Sequence, residues 1–168
     1  MVYHPYPIVL GLGSNIGPGR ETFRLACRYL DRLGVRIQRR SRLYWTRPWG
    51  VGGQPPFQNA AVAVRWRGTP ERLLDLCLTV ERELGRRRRE RWGPRRLDLD
   101  LLLFGSVRRD APGLTLPHPW IARRDFVLAP LIDLQVPPLP AIAPAGWGAL
   151  LAALPTGERA ILRAERWP

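Results

Sequence analysis

Leu97-Asp98-Leu99-Asp100-Leu101-Leu102-Leu103 alternates leucine with aspartate and then runs on as leucine. A period of two marks a β-strand, so the pattern predicts Leu97, Leu99, Leu101 and Leu103 on one face and Asp98 and Asp100 together on the other. At about 3.3 Å of rise per residue the two carboxylates stand roughly 7 Å apart along the strand. Burying such a pair without a counter-charge costs on the order of several kcal/mol, through lost hydration and mutual repulsion. The strand therefore calls for a cation. Mg²⁺ is the natural one, because it takes one or two carboxylates and fills its other positions with water and phosphate oxygens.

Upstream, residues 8–12 read as a buried strand that runs into the glycine-rich turn Gly11-Leu12-Gly13-Ser14-Asn15-Ile16-Gly17. A helix is predicted over 19–33 with Phe23, Cys27, Leu30 and Leu33 on one stripe, followed by one long, Arg-rich strand over 35–45. Residues 46–56 hold three prolines and three glycines, too many breakers for a regular element. Residues 57–66 form the next strand. Thr69-Pro70-Glu71 then caps a helix that runs to about residue 84 with Leu73, Leu74, Cys77, Val80 and Leu84 inward. With the aspartate strand the order is β-α-β-β-α-β. That order predicts an α/β (α+β) fold, a ferredoxin-like sandwich with two helices on one face of an antiparallel sheet. C-terminal additions follow: a helix near 124–134, a Pro-rich stretch over 136–144 and a short helix around 147–154.

The 168 residues fit a single domain, 1–168, and require no second one. No apolar stretch reaches the roughly 18 residues of a membrane span. The first seven residues lack the basic and apolar regions of a signal peptide. The expectation is a cytoplasmic protein, a monomer, with no membrane partner. Cys27 and Cys77 have no Cys or His at metal-ligand spacing and read as small core residues.

A formal net charge of +13 raises the question of nucleic acid, yet all 27 basic residues are arginine and most are scattered. Arg20, Arg24, Arg28, Arg32 and Arg36 recur at helical spacing, as on a solvated face. The run Arg86-Arg87-Arg88-Arg89-Glu90-Arg91-Trp92-Gly93-Pro94-Arg95-Arg96 differs, because it abuts the aspartate pair. Cations beside paired carboxylates point to a polyphosphate with its metals. The glycine turn is one residue too long for a dinucleotide fingerprint, and a chain without lysine has no Walker A loop.

Arg91-Trp92-Gly93-Pro94-Arg95-Arg96-Leu97-Asp98-Leu99-Asp100-Leu101-Leu102 is the most specific motif. It resembles the signature of the 6-hydroxymethyl-7,8-dihydropterin pyrophosphokinase family. Other segments agree in order: Gly13-Ser14-Asn15, Thr46-x-Pro48-x-Gly50, Phe57-Gln58-Asn59, Glu81-x-x-x-Gly85-Arg86, Leu116-Pro117-His118, and Arg124-x-Phe126-Val127-Leu128-x-Pro130-Leu131. The resemblance covers residues 8–133.

It implies Mg²⁺-dependent transfer of pyrophosphate from ATP to the pterin alcohol in folate biosynthesis, with AMP as the second product. Asp98 and Asp100 would hold two Mg²⁺ ions. Arg86, Arg88 and Arg95 would act on the phosphates, and Glu81, His118 and Arg124 would join Arg86 and Arg95 in binding ATP. Phe57 and Phe126 would sandwich the pterin, with Gly13, Thr46, Trp49, Asn59 and Trp92 around it. Trp49 is bulkier than the aliphatic residue of the family pattern. The alternative is a ferredoxin-like RNA-binding module using the basic surface. It calls for aromatics on an open sheet face and a K/R-G-F/Y strand motif, which the chain lacks.

Overall fold

The computed structural model describes residues 6–48, 53–85 and 94–167. In order the elements are β1 (Ile8–Ser14), α1 (Gly19–Arg32), β2 (Arg36–Arg40), β3 (Leu43–Thr46), β4 (Phe57–Arg65), α2 (Pro70–Glu83), β5 (Asp98–Phe104), β6 (Arg109–Ala111), β7 (Leu114–Leu116), α3 (Asp125–Asp133), α4 (Trp147–Ala153) and β8 (Ile161–Glu165). Among the described residues the main sheet runs β5-β1-β4-β3-β8, with β2 also paired to β4, and every pairing is antiparallel. With β2 and β3 taken together, this is the expected ferredoxin-like core.

The first core layer lies between the sheet and helices α1 and α2. Leu10, Leu12, Val62, Leu99 and Leu101 meet Phe23, Cys27, Leu30, Leu73, Cys77 and Val80 there. The helix start of α2 follows its sequence: the Thr69 side chain accepts the Arg72 N–H and Pro70 occupies the first turn. Leu33 is exposed past the end of α1, whereas Leu76 is buried on α2 in preference to Leu74 and Leu84. Both cysteines are buried, and burial holds the Cys77 thiol up at about 12.

The opposite face of the sheet is also covered. Val9, Ala61, Ala63, Leu102 and Leu103 pack beneath Ile121, Leu128, Leu131 and Trp147 of the C-terminal additions. Leu103 thus departs from the simple alternation. Val9 pairs with Leu103 but Leu10 pairs with Leu101, so Leu102 is an extra residue in a β-bulge and the side chains beyond it change face.

Three further differences separate the observed elements from the expected ones. The expected strand over 35–45 is broken between β2 and β3, where the Ser41 hydroxyl accepts the Ala61 N–H in place of a backbone carbonyl. Residues 109–116 form the small hairpin β6-β7. The tail adds β8 to β3 and places Trp167 edge-on to Phe23, ring centroids 5.8 Å apart, with its indole N–H on the Ser41 carbonyl. Among the described residues no helix is long and apolar enough to cross a membrane.

Candidate active site

Where α3 and α4 leave the sheet uncovered, a cleft opens over β1, β4 and β5. Its floor is made by glycine. Gly11 lies opposite Asp100 and Ala61, and Gly13 lies opposite Asp98 and Asn59. A Cβ on Gly13 would stand 3.3 Å from Asn59 Oδ1, and one on Gly11 would stand 3.3 Å from Leu102 Cδ1. Side chains there would fill the space the cleft occupies, which is the packing reason for glycine inside a central strand.

Ten of the residues chosen from sequence line this cleft: Gly13, Thr46, Phe57, Asn59, Arg95, Asp98, Asp100, His118, Arg124 and Phe126. Asp98 and Asp100 share the predicted face. The Asp100 carboxyl is pushed up to about 7, first by burial and then by Asp98, while Arg124 and Arg95 pull the other way. Burial beside a like charge leaves this carboxyl reluctant to ionise. Arg95 stands beside the pair, with Nε 3.3 Å from Asp98 Oδ2.

Arg95 is fixed through its backbone. Its N–H donates to Asn15 Oδ1 at 2.8 Å and its carbonyl accepts the Asn15 N–H at 3.0 Å. The Asn15 amide donates in turn to Gln54 Oε1 at 3.0 Å. Asn15 is therefore a positioning residue. The Gly13-Ser14-Asn15 motif signals it in the sequence, although spacing does not reveal its partner.

The two arginines Arg95 and Arg124 lie over aromatic rings. Arg95 lies over the Phe57 ring at 5.5 Å, and Arg124 lies over Phe126 at 5.7 Å and over Trp120 at 5.5 Å. Arg124 Nε is buried and has no hydrogen-bond partner among the described residues. Burial lowers the pKa of Arg124, with Asp100 opposing. His118 Nδ1 accepts the Trp120 N–H at 3.2 Å, and burial followed by Arg124 holds the ring down at about 4. At neutral pH the imidazole is neutral, and the bond at Nδ1 leaves its proton on Nε2. Asn59 donates to Thr46 Oγ1 at 2.9 Å, which orients its amide.

Glu81 does not line the cleft, although its charge also raises the Asp100 carboxyl. It is 2 % exposed at the α2–β5 contact, and its Oε1 accepts the Leu99 N–H at 2.7 Å, outside the cleft lining. Burial of a charged side chain on a helix is a tertiary event, so spacing gave no sign of it. Arg47 joins the lining without having been singled out. Trp49, Arg86, Arg88 and Trp92 lie outside the described residues. Among the described residues there is no cluster of three or more His, Cys, Asp or Glu that could hold a metal. Asp98 and Asp100 place two carboxylates on the cleft lining.

The family model described as 7,8-dihydro-6-hydroxymethylpterin-pyrophosphokinase (HPPK) matches residues 9–136. The chain belongs to that family. Similar pyrophosphokinases include 2-amino-4-hydroxy-6-hydroxymethyldihydropteridine pyrophosphokinase of Methylorubrum extorquens, 44 % identical over 126 residues, which are 74 % of this chain and 80 % of that protein. The Pseudomonas aeruginosa protein of the same name is 43 % identical over 128 residues, 76 % of this chain and 79 % of its own length. The mitochondrial folate synthesis bifunctional protein of Arabidopsis thaliana is 45 % identical over 129 residues, 77 % of this chain but 23 % of the relative. This chain thus spans about a quarter of such plant relatives. All ten cleft residues fall inside the part matched by the HPPK model, and β8 falls outside it.

Proposed function

We propose that this chain transfers the pyrophosphoryl group of ATP to 6-hydroxymethyl-7,8-dihydropterin, giving AMP and the pterin diphosphate for folate biosynthesis. One observation carries the reading: a single cleft of a pyrophosphokinase-family chain is lined by a carboxylate pair, three arginines, two glycines and two phenylalanine rings. Flat ligands suit the glycine floor, and charged phosphates suit the arginines.

The donor set fits Mg²⁺. Two hard oxygen donors stand on one strand face, and burial and Asp98 push the Asp100 carboxyl up, a cost that a bound cation would offset. Asp98 and Asp100 would hold two ions, and bound Mg²⁺ supplies Lewis-acid neutralisation of the phosphate oxygens.

The chain's own groups do the rest. Arg95, Arg124 and the Nε2–H of His118 bind the phosphates, with Arg86 and Arg88 of the adjoining run beside them. Planar guanidinium suits charge spread over several oxygens. Phe57 and Phe126 stack on the pterin, and Asn59, oriented by Thr46, reads its hydrogen-bonding edge together with the backbone near Gly13. Trp49 and Trp92 are assigned to pterin binding through the family motifs that contain them. The pterin hydroxymethyl oxygen attacks the β-phosphorus and AMP departs, so catalysis consists of positioning and charge stabilisation with no covalent enzyme intermediate.

The chain acts as one domain, as a cytoplasmic monomer. An RNA-binding module of this fold would use the sheet face on which α3 and α4 lie here. Incubation with ATP, the pterin alcohol and Mg²⁺ tests the proposal. It should give AMP in step with pterin diphosphate, and ADP as the sole nucleotide product refutes it. Asp98→Ala and Asp100→Ala should each abolish turnover.

A further inference from the structure

Asp125 is flanked by two cleft residues, Arg124 and Phe126, yet it is 2 % exposed and does not line the cleft. Its carboxylate is fully engaged. Oδ1 accepts the Phe126 N–H at 2.7 Å, a bond that helps satisfy the open first turn of α3. Oδ2 accepts two N–H groups from the far end of the chain, Ala160 at 2.6 Å and Ile161 at 2.8 Å. Starting a helix needs only the first of these bonds, so the second oxygen has another task.

That task is legible in what residues 159–161 hold. The Ala160 carbonyl accepts the Arg47 N–H at 2.9 Å, the Arg159 carbonyl accepts Arg47 Nη2–H at 2.6 Å, and Ile161 pairs with Thr46 in the β3–β8 ladder. The Arg159 guanidinium anchors this segment behind α4, donating to the Leu154 and Ala152 carbonyls. A continuous line of bonds therefore runs from Arg124 and Phe126, through Asp125, to Thr46 and Arg47. Four cleft residues hang on its two ends. The donor half lies beyond residue 136, outside the part of the chain that the family model matches.

We propose that Asp125 is a positioning residue whose carboxylate clamps the start of α3 to the start of β8 and so fixes the spacing between Phe126 and Thr46 across the pterin end of the cleft. The proposal rests on the pterin reading of that cleft. Bonds from N–H to carboxylate are short and roughly twice as strong as neutral ones, which suits a clamp that must not give.

Asp125→Asn tests it with the shape kept. An amide has one accepting oxygen, so whichever way it turns, either Phe126 or the Ala160–Ile161 pair faces an NH₂ group that cannot accept. The expected result is a rise of about tenfold or more in KM for the pterin with kcat within about threefold, the mark of lost binding geometry. A purely structural Asp125 would lower Tm and leave the KM of the folded enzyme unchanged, and that result overturns the proposal. Arg159→Ala loosens the same segment without touching Asp125 or the cleft lining and should raise the pterin KM about threefold. If Asp125→Asn does not fold, this variant decides, and an unchanged KM in it overturns the clamp. Calorimetric titration of the wild type with the pterin alcohol, Mg²⁺ and a non-hydrolysable ATP analogue separates the clamp from the reaction. Binding in this titration, with no AMP formed from ATP itself in the turnover assay, refutes the reaction and leaves the clamp measurable as weaker binding by the variants, whereas no binding refutes both.

Discussion

Replacing Asp100 by Asn should make the metal-free protein more stable while removing its activity. In the folded chain the Asp100 carboxyl is raised from 3.8 to about 7, chiefly by burial and then by Asp98. At about 1.36 kcal/mol per pKa unit, ionised Asp100 costs the fold about 4 kcal/mol at pH 8. The sign follows from proton counting. Between about pH 4 and pH 7 the folded state binds more protons at this site than the unfolded state, so stability falls as pH rises through that window. Above it the full cost is present, and below it the carboxyl is neutral in both states and the cost vanishes.

Asparagine is never ionised and escapes the cost at every pH. Urea unfolding in EDTA at pH 8 should show the variant about 4 kcal/mol more stable, on the order of 10 °C in Tm for a chain of this size. The advantage should shrink towards zero near pH 4. Mg²⁺ with an ATP analogue should stabilise the wild type more than the variant, because only the wild type keeps both carboxylates for the ion. Equal stabilities at pH 8, or an advantage that grows as pH falls, would refute the account of Asp100 as a carboxylate waiting for a cation.

Two further outcomes are expected. Arg95→Ala removes the guanidinium paired with Asp98 and set over Phe57, so kcat should fall by about 10²-fold or more with a smaller change in substrate KM, measured as AMP release; a kcat within threefold of wild type contradicts its phosphate role. Gly19→Ala places a methyl 2.9 Å from Gln58 Cδ, whose Oε1 accepts the Arg20 N–H at the start of α1. The displaced amide should cost about 1–2 kcal/mol in urea unfolding, and an unchanged midpoint would show that Gln58 can move without loss.

The helices of the core were legible because each buries one face, which writes its period into the residues, and the central strands because short apolar runs between breakers mark a sheet covered on both faces. Thr69-Pro70 announced a helix start through chemistry that acts within three residues. The aspartate face was legible too, since carboxylates set inside a leucine strand demand a counter-charge wherever the strand ends up. Where the reading erred, the cause lay at a distance. Leu103 changed face because β5 gains a residue against β1, a register choice made by two strands together. The long strand over 35–45 broke because a serine hydroxyl could serve Ala61 from across the sheet. The bond from the Leu99 N–H to Glu81, 18 positions away, could not be read from helix spacing either.

The leucine-aspartate alternation by itself determined that two carboxylates share one strand face, and the arginine and glycine motifs around it determined the family. Only the tertiary structure decided what stands opposite those carboxylates. Gly11 and Gly13 clear the floor above them, Asn15 holds Arg95 beside them, and Asp125 binds a strand from the end of the chain to the rim. Periodicity is set by whichever layer each side chain faces, so it can be read locally. Hydrogen-bond partners 35 or 80 residues apart are chosen only when the sheet closes, and no spacing within one segment records that choice.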